Sequence, residues 1–300
     1  MNVIEAHGLS KRYGRTWALR DLSIAIPAGR VTALVGPNGA GKTTLLHVAV
    51  GLTTPTKGSV AVLGGCRPGD PGALADIAFV AQDAPLYRNL SVADTIRLAE
   101  SMNDRFDAAA ARKRIADLDI PPRRRIGKLS GGQHTQVALA VTLARRPKLV
   151  ILDEPVASLD PLARHDVMAA LMAVVAEEGL SVVLSSHVVA ELERVCDYLV
   201  ILAAGGVQVA GNVDDLLAEH HVLTGTPTAA EALARGLAVA RRWQTDRQAT
   251  LLVRGPLPPH LPPGLQIAPT NMQELVLAYL REPQLKALPG PHGTDERISA

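Results

Sequence analysis

Three hundred residues exceed one average domain, and a chain that is 47% hydrophobic and 20% charged has apolar material for one large core and a smaller one. The formal net charge of +2, from 31 basic and 29 acidic side chains, removes the bulk electrostatic reason to expect nucleic acid as a partner. The two cysteines, Cys66 and Cys196, match no metal spacing and are too few for a disulfide framework, which points to a reducing compartment, the cytosol.

In chain order, residues 3–6 and 22–26 read as strands, the second stopped by Pro27-Ala28-Gly29. Residues 30–35 are a short apolar, β-branched run, the pattern of a buried strand, and 45–50 read as a helix. Between them lies Gly36-Pro37-Asn38-Gly39-Ala40-Gly41-Lys42-Thr43-Thr44, which fits the G-x-x-x-x-G-K-[ST] phosphate loop in the strand–loop–helix context that the chemistry needs. Its glycines let backbone N–H groups turn inward around phosphates at the positive end of a helix dipole. Gly36, Asn38, Gly39, Gly41, Lys42, Thr43 and Thr44 are therefore predicted to bind a nucleoside triphosphate, with Lys42 on the β- and γ-phosphates and Thr43 on Mg²⁺.

Glycine-bounded residues 58–65 and the apolar run 77–80 read as further strands. From Ser91 to about Arg146 the pattern turns helical. Ser91 followed by Asp94 is a looser capping box, with Asp in place of Glu or Gln. A helical insert is predicted at about 84–146. Strands return at 149–152 and 181–185, separated by a helix at 164–178, which implies a right-handed parallel crossover. Beyond about Gly211 the composition shifts. Strands at 221–224 and 249–253, a helix at 229–235, a proline-rich joint at 256–263 and a closing helix at 272–280 suggest a small α/β appendage. The expected organisation is an α/β chain with a nucleotide-binding unit at 1–215 and an accessory unit at 216–300, whose last fifteen or so residues, rich in Gly and Pro, are expected to be mobile. No basic segment followed by an apolar stretch opens the chain, and no run of about 18 uncharged apolar residues occurs, so the sequence predicts no membrane span.

The strand at 149–152 ends in Asp153-Glu154-Pro155. A carboxylate at a parallel strand end beside a phosphate loop suits Mg²⁺, which assigns Asp153, and the next acid, Glu154, is placed to polarise a water in line with the γ-phosphate. Alone, paired acids at a strand end would read equally well as a turn cap.

At Leu129-Ser130-Gly131-Gly132-Gln133 the chain resembles the signature motif of ATP-binding cassette (ABC) ATPases, in the right order between phosphate loop and acidic strand. The pentapeptide by itself is also a good helix N-cap. The resemblance covers roughly residues 1–215 and implies a P-loop ATPase core with a β-rich N-terminal part, a parallel sheet and a helical insert. It implies roles for further residues: Gln82 as the Q-loop glutamine on Mg²⁺ and the catalytic site, Ser158-Leu159-Asp160 as the D-loop, His187 as the switch histidine, and Tyr13 as the aromatic that stacks on adenine, with Trp17 competing for that role. Ser130, Gly132 and Gln133 would close on the nucleotide of a partner. One set of motifs per chain then implies a homodimer or a paired ABC subunit sandwiching two ATP molecules, with Mg²⁺. Two departures stand out: Gln136 replaces an arginine usual in the family, and Val156 a threonine. The run Arg123-Arg124-Arg125 reads most simply as a solvated loop.

The resemblance further implies a subunit that works on a separately encoded membrane-spanning permease, peripheral on the cytoplasmic face of the cell membrane. The layout of an appendage after the ATPase core, ending in the closing helix, looks like that of the ATPase subunits of ABC-2 type exporters of drugs, antibiotics or lipid-like substrates. The competing class is a soluble ABC ATPase acting on ribosomes or DNA. Its translational members carry two cassettes per chain, and its chromosome and repair members carry long heptad coiled coils, neither of which occurs here.

Overall fold

The computed structural model describes residues 1–157 and 159–281. The expectation of a mobile tail, and the D-loop residue Ser158, lie outside that range. Strand β1 (Asn2–Tyr13) turns into β2 (Thr16–Pro27), and β3 (Val31–Val35) leads into helix α1 (Lys42–Ala49). Next come β4 (Lys57–Val62), α2 (Pro71–Asp76) and β5 (Ile77–Val80). The insert supplies α3 (Val92–Ser101), α4 (Ala108–Asp117) and, after a 3₁₀ turn at Ile126–Lys128, α5 (Gly131–Leu143). Then follow β6 (Leu149–Asp153), α6 (Pro161–Glu178), β7 (Ser181–Ser186), α7 (Val189–Leu192), β8 (Tyr198–Ala203), β9 (Gly206–Asn212) and α8 (Val213–Glu219). The C-terminal region holds β10 (His220–Gly225), α9 (Pro227–Ala234), β11 (Ala238–Gln244), β12 (Ala249–Arg254), β13 (Gln266–Pro269) and α10 (Met272–Arg281).

The central sheet runs in the order β5-β6-β7-β3-β8-β9. Its first five strands are mutually parallel, and only β9 is antiparallel to its neighbour. Such strands are covered on both faces, which explains why β3, β6 and β7 are buried along their whole length and read as continuous apolar runs. Alternation sorts them all the same. Leu149, Ile151 and Val183 face a core with α1 and the antiparallel sheet β2-β1-β4. Val150, Leu152, Val182 and Leu184 face the other way, onto Val167, Leu171 and Val174 of α6.

The insert has its own small core around Val92, Ile96, Ile115, Ile126 and Val137. The looser capping box forms: Asp94 N–H donates to Ser91 Oγ at 3.0 Å and Ser91 N–H to the Asp94 carboxylate at 3.3 Å. Asp76 ties the insert to the sheet by accepting from Arg105 at 2.6 Å and pairing with Lys148 at 2.7 Å. Those two cations hold its carboxyl below the usual range, Lys148 contributing most.

The strands β8, β9, β11 and β13 and the short α2 go beyond the sequence expectations. The C-terminal sheet, β11-β12-β10-β13, is antiparallel. One face packs on α9 through Leu223, Leu251 and Val253. The other face joins the principal core through Val222, Ala240 and Leu252, together with Met272, Leu275, Val276 and Tyr279 of α10. That core runs across the expected boundary at 215/216, because an amphipathic closing helix buries its apolar stripe against the largest apolar surface within reach.

Candidate active site

Strand order builds the site. With β5, β6, β7 and β3 side by side and parallel, the segments after their carboxyl ends are neighbours: Gln82 after β5, Asp153 and Glu154 at β6, His187 after β7, and the phosphate loop after β3. Open parallel sheets bind ligands at this edge. A cavity of about 610 Å³ opens there, lined by Thr16, Trp17 and Ala18, by residues 38–44, and by Gln82, Glu154, Ala157 and His187.

The loop needs its glycines. A Cβ on Gly36 would lie 2.4 Å from Leu202 O, and one on Gly41 2.6 Å from Ala18 O, with Gly41 also at φ +101. Gly41 is the N-cap of α1 and offers no side-chain cap, so the first-turn N–H groups stay available to an anion. Lys42 is buried; its ammonium donates to Gly36 O at 2.8 Å and lies 3.4 Å from Glu154 Oε1.

Glu154 is the centre of the polar contacts. Its backbone is in the left-handed region at φ +48, unusual for a residue with a Cβ. Its other carboxylate oxygen is 3.0 Å from His187 Nδ1. Ser185 Oγ donates to Asp153 Oδ1 at 2.6 Å and accepts from Glu154 N–H at 2.9 Å, so one hydroxyl fixes both acids. Sequence reasoning passed over Ser185; the signal was a hydroxyl ending an otherwise apolar buried strand, where an unpartnered polar group is costly. Asp153 is buried.

The remaining predicted residues fall into two groups. Asn38, Gly39, Thr43, Thr44 and Gln82 line the cavity with Lys42, Glu154 and His187. Tyr13 does not; it is half exposed, with Lys11 Nζ 5.0 Å from its ring centroid, and the aromatic in the lining is Trp17. Ser130, Gly132 and Gln133 are also outside the lining. They form the start of α5: Gln133 N–H donates to Ser130 Oγ, and Ser130 N–H to Gln133 Oε1, each at 3.2 Å. The helix-cap reading is thus physically realised. A Cβ on Gly132 would lie 2.8 Å from Ala163 Cβ, so that glycine also lets α5 approach α6. Asp160 caps α6, accepting from Leu162 and Ala163 N–H at 3.0 Å. Among the described residues no group of three or more His, Cys, Asp or Glu is arranged to hold a metal, and no helix is long and apolar enough to cross a membrane. Cys196 is buried, and desolvation, with Asp197 adding to it, pushes its thiol up to about 12, which makes it an inert core residue.

Comparison with known proteins agrees with this fold. Residues 19–157 match the family model described as ABC transporter. The chain is 36% identical over 228 residues to the Nod factor export ATP-binding protein I of Rhizobium leguminosarum bv. viciae, covering 73% of this chain and 72% of that protein. It is also 36% identical over 218 residues to the Fe(3+) ions import ATP-binding protein FbpC of Pseudomonas fluorescens, covering 70% and 62% respectively. Among solved structures, an ATP binding subunit of an ABC transporter superposes with a TM-score of 0.62 at 30% identity, over 71% of this chain and 91% of its own.

Proposed function

The chain belongs to the ABC transporter family as an ATP-binding subunit, and on that premise we propose that it hydrolyses Mg²⁺-ATP to drive export through a separately encoded permease. The observation that carries the reading is the convergence of Lys42, Gln82, Glu154 and His187 on one cavity at the carboxyl edge of the sheet. The loop N–H groups and Lys42 hold the phosphates, and Trp17, the aromatic in the lining, stacks on the base with the Arg12 guanidinium 5.4 Å from its ring centroid. Glu154 accepts the proton of the attacking water, and His187, 3.0 Å from the same carboxylate, orients that acid and follows the γ-phosphate.

Asp153, Thr43 and Gln82 present a carboxylate, a hydroxyl and an amide oxygen, a hard-oxygen donor set suited to Mg²⁺. The ion, when bound by them, neutralises charge on the transferred phosphoryl group. Ser185 keeps Asp153 in place for it by donating to the carboxylate.

Ser130, Gly132 and Gln133 lie away from the cavity, which supports a head-to-tail pair in which each signature turn, with Asp160 nearby, completes the partner's site. Exposed Leu74 on α2, with exposed Tyr87 and Met102 of the insert, supports docking on an apolar segment of the permease at the cytoplasmic face. Residues 1–215 are the ATPase unit and 216–300 the accessory unit in this reading. The export direction is favoured over import by the Nod factor relative, matched over 72% of its length against 62% for the iron-import relative, and by the closing helix, and the net charge of +2 favours no nucleic-acid partner.

Glu154→Gln tests the chemistry: steady-state hydrolysis should fall by about 100-fold or more while ATP still binds. Near-normal turnover would overturn the assignment. The same variant, trapped with Mg²⁺-ATP in its native cells and purified with its partners, should bring down a polytopic membrane protein identified by mass spectrometry. Ribosomal or DNA-bound material in its place would overturn transport and leave the ATPase reading intact.

A further inference from the structure

The segment carrying His187 is weakly built by itself. It leaves β7 at Ser186 and continues into α7, four residues with no side-chain cap. A helix of one turn does not hold its shape in water without tertiary support. That support comes from the C-terminal region. Helix α10 packs against α7 and β8, and Leu192 and Cys196 share their core with Met272, Leu275, Val276 and Tyr279. At the N-terminal end of α10 the Glu193 carboxylate accepts from Met272 N–H at 3.3 Å.

The other end of α10 is fastened to the accessory sheet. His220, the first residue of β10, is fully buried, with Nδ1 2.6 Å from Leu216 O and Nε2 2.9 Å from the Tyr279 hydroxyl. The carbonyl can only accept, so Nδ1 carries the proton, Nε2 is the acceptor, and Tyr279 O–H donates to it. One helix of ten residues, about 15 Å long, therefore spans from the accessory sheet to the segment that follows His187.

The geometry points to α10 as a tie through which the accessory sheet sets the position of His187, and so the rate of ATP turnover rather than the affinity for ATP. Glu193 and Tyr279 are positioning residues at its two ends. The inference rests on the proposed role of His187 and adds to it a source of regulation: anything that shifts the accessory sheet, whether a bound permease segment or a neighbouring copy, is felt at the switch segment.

Tyr279→Phe keeps the ring and removes the donor to His220. Amide hydrogen exchange, read by mass spectrometry on the full chain, should speed up several-fold in residues 187–196 and stay unchanged in the phosphate loop. The kcat for Mg²⁺-ATP should change by about threefold or more with KM nearly constant, the size expected of coupling at a distance. From the other end, Glu193→Ala should reproduce the kcat change, and Glu193→Gln, which keeps an acceptor oxygen, should restore it. Faster exchange confined to α10 and β10 with kcat unchanged would overturn the tie, as would equal effects of Ala and Gln at position 193. His187→Ala separates the two readings. If it leaves kcat unchanged, the role of His187 fails; if it abolishes turnover while Tyr279→Phe and Glu193→Ala leave kcat intact, that role stands and the tie fails.

Discussion

At the nucleotide edge the backbone is forced: Gly39 and Gly41 have φ of +79 and +101, and Glu154, with a full side chain, sits beside them at +48. From residue 213 to 281 no described non-glycine residue has a positive φ, and shape is held by a sandwiched sheet, α10 and the His220–Tyr279 contact. A left-handed residue with a side chain costs on the order of 1–3 kcal/mol and persists only where its surroundings dictate it. Around Glu154 those surroundings are Ser185, Lys42 and His187. Among the described non-glycine residues with positive φ, Glu154 is the one in the cavity lining, while Asp21, Leu63, Ala84, Asp119, Arg146 and Ala204 adopt the same backbone elsewhere before residue 213 and the C-terminal region has none. Single changes should act abruptly in the first region and by degrees in the second.

The sharpest way to break this contrast is Gly41→Ala. The added methyl meets Ala18 O and Leu19 Cδ2 at 2.6 Å, on a backbone at φ +101 that alanine resists. Destabilisation of about 3 kcal/mol or more in urea, with loss of ATP binding, is expected. A variant that binds ATP with unchanged affinity would show that the cradle does not depend on this backbone. Gly132→Ala is the intermediate case, because its Cβ would lie 2.8 Å from Ala163 Cβ. Overpacking of α5 on α6 should cost about 1–3 kcal/mol. Combining it with Ala163→Gly should recover part of that stability, measured as a non-additive double-mutant cycle. ATP-driven pairing of two chains, followed by light scattering, should recover in parallel with stability in the double variant, because the methyl is aimed at α6. Pairing that stays lost after stability returns would show that the signature turn itself tolerates no Cβ at this position.

The same contrast explains what could be read from residues alone. The phosphate loop, the two acids and the cap of α5 are encoded within spans of a few residues, where glycine, lysine and hydroxyl requirements are local and specific. The central strands announced themselves because burial on both faces leaves continuous apolar runs such as Leu149–Asp153. Tyr13 and Trp17 were harder: both sit at the β1–β2 hairpin, where Arg12 pairs with Trp17 and Tyr13 with Thr16, and hairpin twist, invisible in sequence, decides which ring reaches the cavity. Ser185 acquires meaning only when β6 and β7 are paired, with Asp153 opposite it in register. The accessory unit was legible as elements and not as packing. That α10 would stay against its own sheet and also reach Leu192 and Cys196 in the principal core is a contact across some eighty residues of chain, and helix periodicity says only which face is buried.

The smallest expected effect lies in the C-terminal region and concerns pH. Burial holds the His220 imidazole below its ordinary value, with the Leu216 carbonyl and Glu219 opposing and the nearby Arg254 and His221 adding to the depression. Tyr279, its partner, is pushed up to about 12, chiefly by burial, and stays a neutral donor throughout. Because the folded chain binds the His220 proton less readily than the unfolded chain, stability from this site is complete above the ordinary histidine value of about 6.5 and is lost as pH falls below it toward the folded value. Urea midpoints measured from pH 7.5 down to 5 should therefore decline more in the native sequence than in His220→Gln, whose side chain does not titrate, and the difference between the two curves isolates the site from the other histidines. The slope should be modest and continuous, with ATP affinity at pH 7.5 equal in both chains. Parallel curves would mean that His220 accepts a proton without disturbing Tyr279, and that α10 is held by its apolar face alone.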